Sequence, residues 1–540
     1  MIVNFASAIM DDGKKIKLFV ASLVLLAAFA PISESANILG IFTTTSPSHN
    51  IVHMSYLRPL IERGHNVTVV TSIPLKDKNP KYHHILIPPT EARTKQMADM
   101  KAAVSKKRSL LELIRTSLES VSSFGPMLAD HLKDQRFQDL MQNPDNKFDL
   151  IVGGYFFNPF YVGLAAHFRC PMVLSYANAP NSLTNSFIGN PNELAYVPLS
   201  PLFGLPDLST FKGRLTNFMI NIPVSVFNGL MDMQMEGIYN EIFSPTEYPS
   251  YHEAKKKVSL IMFNYHFTDG IVRPNVPAAI ECGGIQIKDK PDPLPENLQK
   301  LFNASSEHGV IYVSFGSNLG INDINPDVVN ALFKALSGLK QTVLWKWSDP
   351  KTPGTASNIH YNSWLPQDDL LQHPNLKLFI THAGKGGVTE AAYHGVPMVA
   401  VPMIADQIGN AAQMVKDGFG LQVDKKTVTE DQFKEAILEV LTNPQYTENV
   451  RRFSKLTKDR PMTPRETAVF WLEYVIRHKG AYHMQSPAVH LNTFQLYSFD
   501  VIAFILLILF LVYKLVSVPL IFVFRRLIAK FTKVQKIKKH

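Results

Sequence analysis

The stretch FITHAGKGGVTEAAYHGVPMVAVPMIADQ, residues 379–407, sets a glycine-rich turn, a helix start, a carboxylate and a closing Asp-Gln pair in one short run. The apolar segment Leu376 to Ile380 reads as a buried strand. The cluster Gly384, Gly386 and Gly387 lets the backbone turn tightly and approach a ligand, and Val388 to His394 continues as helix. Free backbone N–H groups and the helix dipole make such a helix start an anion site, to which His382 can add a hydrogen bond or a positive charge. Glu390, one to two helical turns on, would repel a phosphate but suits a pair of ribose hydroxyls as a double acceptor. After the apolar strand Met398 to Val401, Asp406 and Gln407 stand at a strand's carboxyl end, where open α/β sheets place ligand groups.

These residues closely resemble the signature of the UDP-glycosyltransferases, the animal UDP-glucuronosyl/glucosyltransferase group, approximately F-I-T-H-G-G-x-x-S/G-x-x-E followed by G-V-P-M and A-D-Q. Ala383 departs from it, standing where the family usually has Gly. Upstream, Trp364, Pro366 and Gln367 match the family's W-x-P-Q element, in which the indole stacks on uracil and the Gln helps fix base and ribose. Val313 to Ser317 (VSFGS) matches a loop in which Ser317 would approach the phosphates. The resemblance runs from Asn37 to the C-terminus. It implies an α/β protein of two Rossmann-like domains facing across a cleft (the GT-B fold), with acceptor binding in the first half and UDP-sugar in the second. UDP-glucose or UDP-glucuronic acid would be the co-substrate, with no separate cofactor. A small lipophilic acceptor would be conjugated, the detoxifying type of reaction, and a homo-oligomer is allowed.

Periodicity divides the chain in the same way. Ile38 to Phe42, Asn50 to Arg63 and Val67 to Thr71 read as one right-handed βαβ unit, and Val310 to Phe315, Pro326 to Leu339 and Thr342 to Trp347 as another. The Pro-rich stretch Asp289 to Pro295 separates residues 37–288, the acceptor-binding half, from residues 296–469, the donor half. A helix over Phe470 to Lys479, within a 470–499 segment, is expected to return to the first half.

Lys14, Lys15 and Lys17 before the apolar run Leu18 to Ala30, with small residues around Ser33, Ser35 and Ala36, describe a secretory signal peptide over residues 1–36. Residues 500–524 are apolar apart from Asp500, Lys514, Ser517 and Pro519, and predict a transmembrane helix with Lys514 snorkelling toward the cytosolic interface. The tail 525–540 holds Arg525, Arg526, Lys530, Lys533, Lys536, Lys538 and Lys539 and no acid, seven charges of a formal net +9. Basicity therefore reports membrane topology and gives no support for nucleic-acid binding. A single-pass type I protein of the endoplasmic reticulum is expected, its body lumenal, with Lys536 and Lys538 resembling a K-x-K-x-x retrieval signal.

Two cysteines, Cys170 and Cys282, beside apolar runs read as buried free thiols. Of the sequons at Asn66 and Asn303, Asn303 in a polar linker is the expected glycosylation site. No D-x-D or zinc-spaced Cys/His cluster occurs, so the expected metal set is none.

Hexosyl transfer to a hydroxyl needs a base, and His49, after Ser48 between the first strand and helix, matches the family's Ser-His element. The nearby helix start should keep it neutral. In the family an acid orients that histidine from the second Phe-Asp strand, but alignment on Phe148-Asp149 places Gly154 there. Two readings stay open: an active inverting glycosyltransferase, and a catalytically weak relative that binds UDP-sugar or a lipophile as a carrier or partner subunit.

Overall fold

The computed structural model describes residues 35–75, 79–104, 125–198, 206–270, 272–317, 324–349, 353–404 and 406–537. The expected signal peptide, apart from its last two residues, and Lys538 of the retrieval signal lie outside them. In the first half, β1 (Asn37–Phe42), β2 (Asn66–Thr71), β3 (Tyr82–Leu86), β4 (Leu150–Gly154), β5 (Met172–Tyr176), β6 (Val258–Phe263) and β7 (Ala279–Glu281) form a sheet of order β3-β2-β1-β4-β5-β6-β7. In the second, β8 (Val310–Ser314), β9 (Thr342–Lys346), β10 (Ile359–Asn362), β11 (Leu376–Thr381), β12 (Met398–Ala400) and β13 (Gly420–Gln422) form the order β10-β9-β8-β11-β12-β13. Every strand pairing is parallel, as in β1 with β4 and β8 with β11. Layers cover both faces of such sheets, which is why β1, β4, β6 and β8 are apolar and buried along most of their length. Alternation along β8 sends Ile311 and Val313 into one core and Val310 and Tyr312 into the other.

Strand order reverses between β1 and β4 and again between β8 and β11. At each reversal the crossovers leave in opposite directions and open a crevice beyond the strand ends. Helix α1 (Pro47–Glu62) follows β1 and starts three residues earlier than the sequence pattern suggests, because Pro47 fits the first helical position and needs no N–H partner there. His49 therefore stands inside the first turn of α1 rather than before it. A long helix, α2 (Phe211–Ile242), follows β5 and leaves Phe211, Leu215, Phe218, Ile222 and Val226 exposed on one side.

The second half opens with α3 (Glu296–Ala304), so Asn303 lies on a helix and not in a linker; it is exposed and accepts from Gln299 Nε2 at 3.0 Å. Asn66, the first residue of β2, is exposed as well. Helix α4 (Pro326–Ser337) covers one face of the sheet. Next, α5 (Lys385–His394) follows β11 and α6 (Gln407–Lys416) follows β12. Then α7 (Pro464–His478), capped by Thr463 and Glu466, packs its Ala468, Val469, Leu472 and Val475 into the first half's core. Its Glu473 holds Arg63 at 2.6 Å and His65 at 3.3 Å across more than 400 residues of chain. It begins six residues before the expected Phe470, at a Pro again. Finally α8 (Phe499–Ile537) is an exposed helix whose stretch Phe499–Thr532 is long and apolar enough to cross a bilayer, and it continues through Pro519. Cys282 is a buried free thiol; Cys170, also free, is only half-buried.

Candidate functional site

His49 follows β1, Gly154 ends β4, Ser317 follows β8 and His382 follows β11, so both reversal points carry residues singled out above. The two crevices face each other. Asp406 of the second half acts electrostatically on His49 and Tyr176 of the first. Lys385 Nζ bonds Asp269 at 2.8 Å, and Gln286 Nε2 reaches Glu390 at 3.5 Å.

On the donor side, Gly384 is the N-cap of α5 with an extended backbone (φ −63°, ψ 141°) and no side-chain cap. Gly386 and Gly387 are first-turn helix residues rather than part of the turn, because the helix begins at Lys385. Their N–H groups lack intrahelical acceptors by position and point out of the helix start. A Cβ at Gly386 would meet nothing, so this face is open, whereas one at Gly387 would touch Phe379 and Gln367. His382 is gripped between two glycines: a Cβ at Gly316 or Gly384 would stand 2.6 or 2.5 Å from its ring. Burial first, and the Lys346 ammonium second, push it down to about 4. Of the two roles expected of it, a hydrogen bond or a positive charge, this favours the neutral hydrogen-bonding group. Lys346 sits with Nζ 3.2 Å from Gly316 O and 4.5 Å above the Trp364 ring; as an ordinary strand-end lysine it carries no motif signal. Trp364 is 59% exposed, one face under Lys346 and so one face left for a stacked ring.

Ala383 takes a left-handed backbone (φ 61°) while fully buried, which gives the physical reason for a glycine there. Ala383→Gly is expected to stabilise the protein by about 0.5–1 kcal/mol, the part of a roughly 1–2 kcal/mol strain that survives glycine's greater unfolded-state freedom. A raised denaturation midpoint checks this; an unchanged one shows that neighbours already absorb the strain.

Glu390, Gln367 and Tyr312 form a chain. The Tyr312 hydroxyl donates to Gln367 Oε1 at 3.1 Å, and Gln367 Nε2 donates to Glu390 Oε2 at 2.7 Å. Burial pushes the Glu390 carboxyl up to about 7 against the pull of the Gln367 bond. Asp406 accepts from Asn410 at 2.7 Å, and the same Asn410 amide bonds Ala383 O at 3.1 Å, tying the α6 start to the loop after β11. The carbonyl of Gln407 is occupied by the N–H groups of Met403 and Ile404 at 2.8 and 2.9 Å, so only its amide nitrogen is free for a sugar hydroxyl. Ser317 stays half-exposed at the crevice mouth.

On the acceptor side, His49 keeps some solvent access while its Nδ1 is enclosed without a partner. Burial pushes it below its ordinary value and Asp406 pulls it part of the way back. Phe156 meets its ring edge-on at 5.3 Å. Beside Phe156 opens a small pocket of about 20 Å³ lined by Tyr155, Phe157, Leu183, Phe187, Met231 and Met235 together with Asp232 and Lys255.

The family model described as UDP-glucoronosyl and UDP-glucosyl transferase matches residues 38–534. A UDP-glycosyltransferase UGT5 of Dactylopius coccus is 33% identical over 90% of this chain and 91% of its own length. UDP-glucosyltransferase 2 of the same insect is 31% identical over 90% and 93%, and mouse UDP-glucuronosyltransferase 1A6 is 32% identical over 92% and 94%. Among solved structures, LpCGTa in complex with UDP aligns at a TM-score of 0.50 and 16% identity, covering 81% of this chain and 99% of that one. With two parallel-sheet domains facing across a cleft in the GT-B manner, the chain belongs to the UDP-glucuronosyl and UDP-glucosyl transferase family and is a UDP-glycosyltransferase.

Proposed function

We propose that the protein is a membrane-bound enzyme that moves glucose or glucuronic acid from its UDP-sugar to a hydroxyl of a small lipophilic acceptor, with inversion and without a metal. One observation carries the reading: a neutral, half-buried His49 stands across the cleft from a phosphate-suited helix start and from Asp406. His49 takes the hydroxyl proton as the oxygen attacks the anomeric carbon, and UDP leaves on the opposite face, so a single displacement inverts the configuration. The α5 N–H groups, His382 and Ser317 receive the diphosphate; Trp364 and Gln367 hold uracil; Glu390 accepts from the ribose; Asp406 and Gln407 hold the hexose. Names of relatives carry both sugars, so both donors are compared in one mass-spectrometric screen against a panel of phenols. Conjugate formation with either supports the reading; UDP binding without UDP release from either overturns it.

That last outcome defines the second reading, a catalytically weak relative that binds UDP-sugar or a lipophile. Gly154 favours it by supplying no carboxylate beside His49. Placement in the endoplasmic reticulum membrane, single-pass with a lumenal body glycosylated at Asn303, is supported by the apolar α8, the basic residues after it and the exposure of Asn303.

Lys385 adds a contact that no motif position suggested. A lysine in the first turn of a helix opposes the dipole, and here it is held by Asp269 from the other domain. An arriving diphosphate competes for that ammonium. Lys385→Gln is expected to weaken UDP binding about tenfold, the scale of one charge-assisted hydrogen bond. Calorimetry at low salt measures it, and an unchanged Kd means the lysine serves Asp269 alone.

A further inference from the structure

The position where the family's orienting acid stands is Gly154, the last residue of β4, and the space a side chain would take there is filled. A Cβ at Gly154 would lie 2.9 Å from Phe42 and 3.0 Å from the ring of His53. His53 is one helical turn beyond His49 on α1, so the two rings share a face, edge to face with centroids 6.4 Å apart. It is wholly buried, stacked on Phe42 at 5.2 Å, with Nδ1 2.8 Å from Ser175 Oγ. Ser175 pairs with Gly154 across β5 and β4, and its hydroxyl points at Gly153 O, 3.4 Å away. With the serine proton directed to that carbonyl, the arrangement the inference takes, Oγ accepts from His53 Nδ1–H. His53 Nε2 is then a bare lone pair, enclosed and unpartnered, and the other enclosed, unpartnered ring nitrogen of the pair is His49 Nδ1.

We propose that His53, set by Ser175, replaces the missing acid as the positioning residue for His49: through one bridging water its Nε2 accepts the Nδ1 proton of His49. A centroid separation of 6.4 Å exceeds the roughly 5 Å of a direct ring-to-ring bond and admits one water at a bent angle. The bridge satisfies both orphaned nitrogens and fixes the tautomer that leaves His49 Nε2 free to take the acceptor's proton. His53 itself stays neutral, pushed down to about 3 by burial and by His49. It can orient the base, and being neutral it steadies the imidazolium less than a carboxylate does. The inference deepens the transferase reading and rests on it.

The test uses the full-length enzyme in detergent, with UDP affinity as the check on folding. His53→Leu is expected to lower kcat about 10–100-fold while Kd for UDP and KM for the donor stay unchanged. His53→Gln, whose amide oxygen can accept in place of Nε2, should recover most of that loss, and His53→Ala joined to Gly154→Asp should restore it through a real carboxylate. A His53→Leu enzyme with wild-type kcat, or losses equal in the Leu and Gln variants, overturns the inference. A second readout stands apart from turnover: in the histidine-ring proton–nitrogen spectrum, assigned by subtraction of His49→Ala, His49 protonated at Nδ1 supports the bridge and His49 protonated at Nε2 overturns it. Wild-type turnover, measured first, tests the transferase reading alone.

Discussion

Replacing His49 by alanine is expected to lower kcat/KM for sugar transfer by about 10²–10⁴-fold, the range of a general base, and to leave UDP affinity unchanged. The second half of that expectation follows from geometry: His49 belongs to α1 of the first domain, while every group assigned to uridine and diphosphate belongs to the second. The pH profile carries the sign. Burial places the imidazole below its ordinary 6.5, so the base form persists through neutral pH and activity falls only on the acid side of that value. Asp406 raises His49, so Asp406→Asn should move the acid limb to still lower pH while also weakening the hexose contact. Steady-state rates from pH 5 to 8 measure both. A His49→Ala enzyme that retains turnover would remove the base from the mechanism.

Much of this site was legible in the sequence because its groups lie in short runs. A strand, a turn and a helix start fit within residues 376–394, so composition and spacing alone place Gly384, His382 and Glu390 at one sheet edge. Boundaries slipped where proline starts a helix: Pro47 and Pro464 each extend a helix backward past the apolar pattern, and that shift moves His49 into the first turn of α1. Contacts between distant segments were not legible. Lys346 over Trp364, Lys385 on Asp269 and Glu473 on Arg63 join residues whose separation depends on how sheets and domains stack. The same holds for charge state. A histidine beside a phosphate site reads equally as a hydrogen-bonding group or a cation until its cage of Gly316 and Gly384 and the nearby Lys346 are known. Gly154 shows both sides: its lack of a carboxyl is read from one letter, while the histidine filling its space comes from another element.

Glu390 should make donor affinity and protein stability move in opposite directions with pH. Burial lifts its carboxyl to about 7 in the ligand-free protein, and Gln367 stabilises the ionised form only in part. A carboxyl that is harder to ionise folded than unfolded stabilises the fold most at low pH. That contribution is present in full below about 4.5 and is lost as pH rises through 7. At about 1.4 kcal/mol per pH unit it amounts to at most about 3 kcal/mol, reduced by solvent reaching the carboxyl from the cleft. Buried histidines such as His53 and His131 act in the opposite sense at lower pH, so the measurement is a difference: wild type minus Glu390→Gln, by denaturant unfolding at pH 5 and pH 8. The wild type should lose up to about 2 kcal/mol more than the variant over that interval. Binding runs the other way, because accepting two ribose hydroxyls needs the ionised carboxylate. UDP-glucose has no group of its own titrating near 7, and its Kd should rise up to tenfold for each pH unit below 7 in the wild type. Glu390→Gln should bind it more weakly at pH 8 and with little pH dependence. Equal pH slopes in the two proteins, in either experiment, would mean that Glu390 is ionised throughout and that its enclosure by Gln286 and Gln367 does not persist in solution.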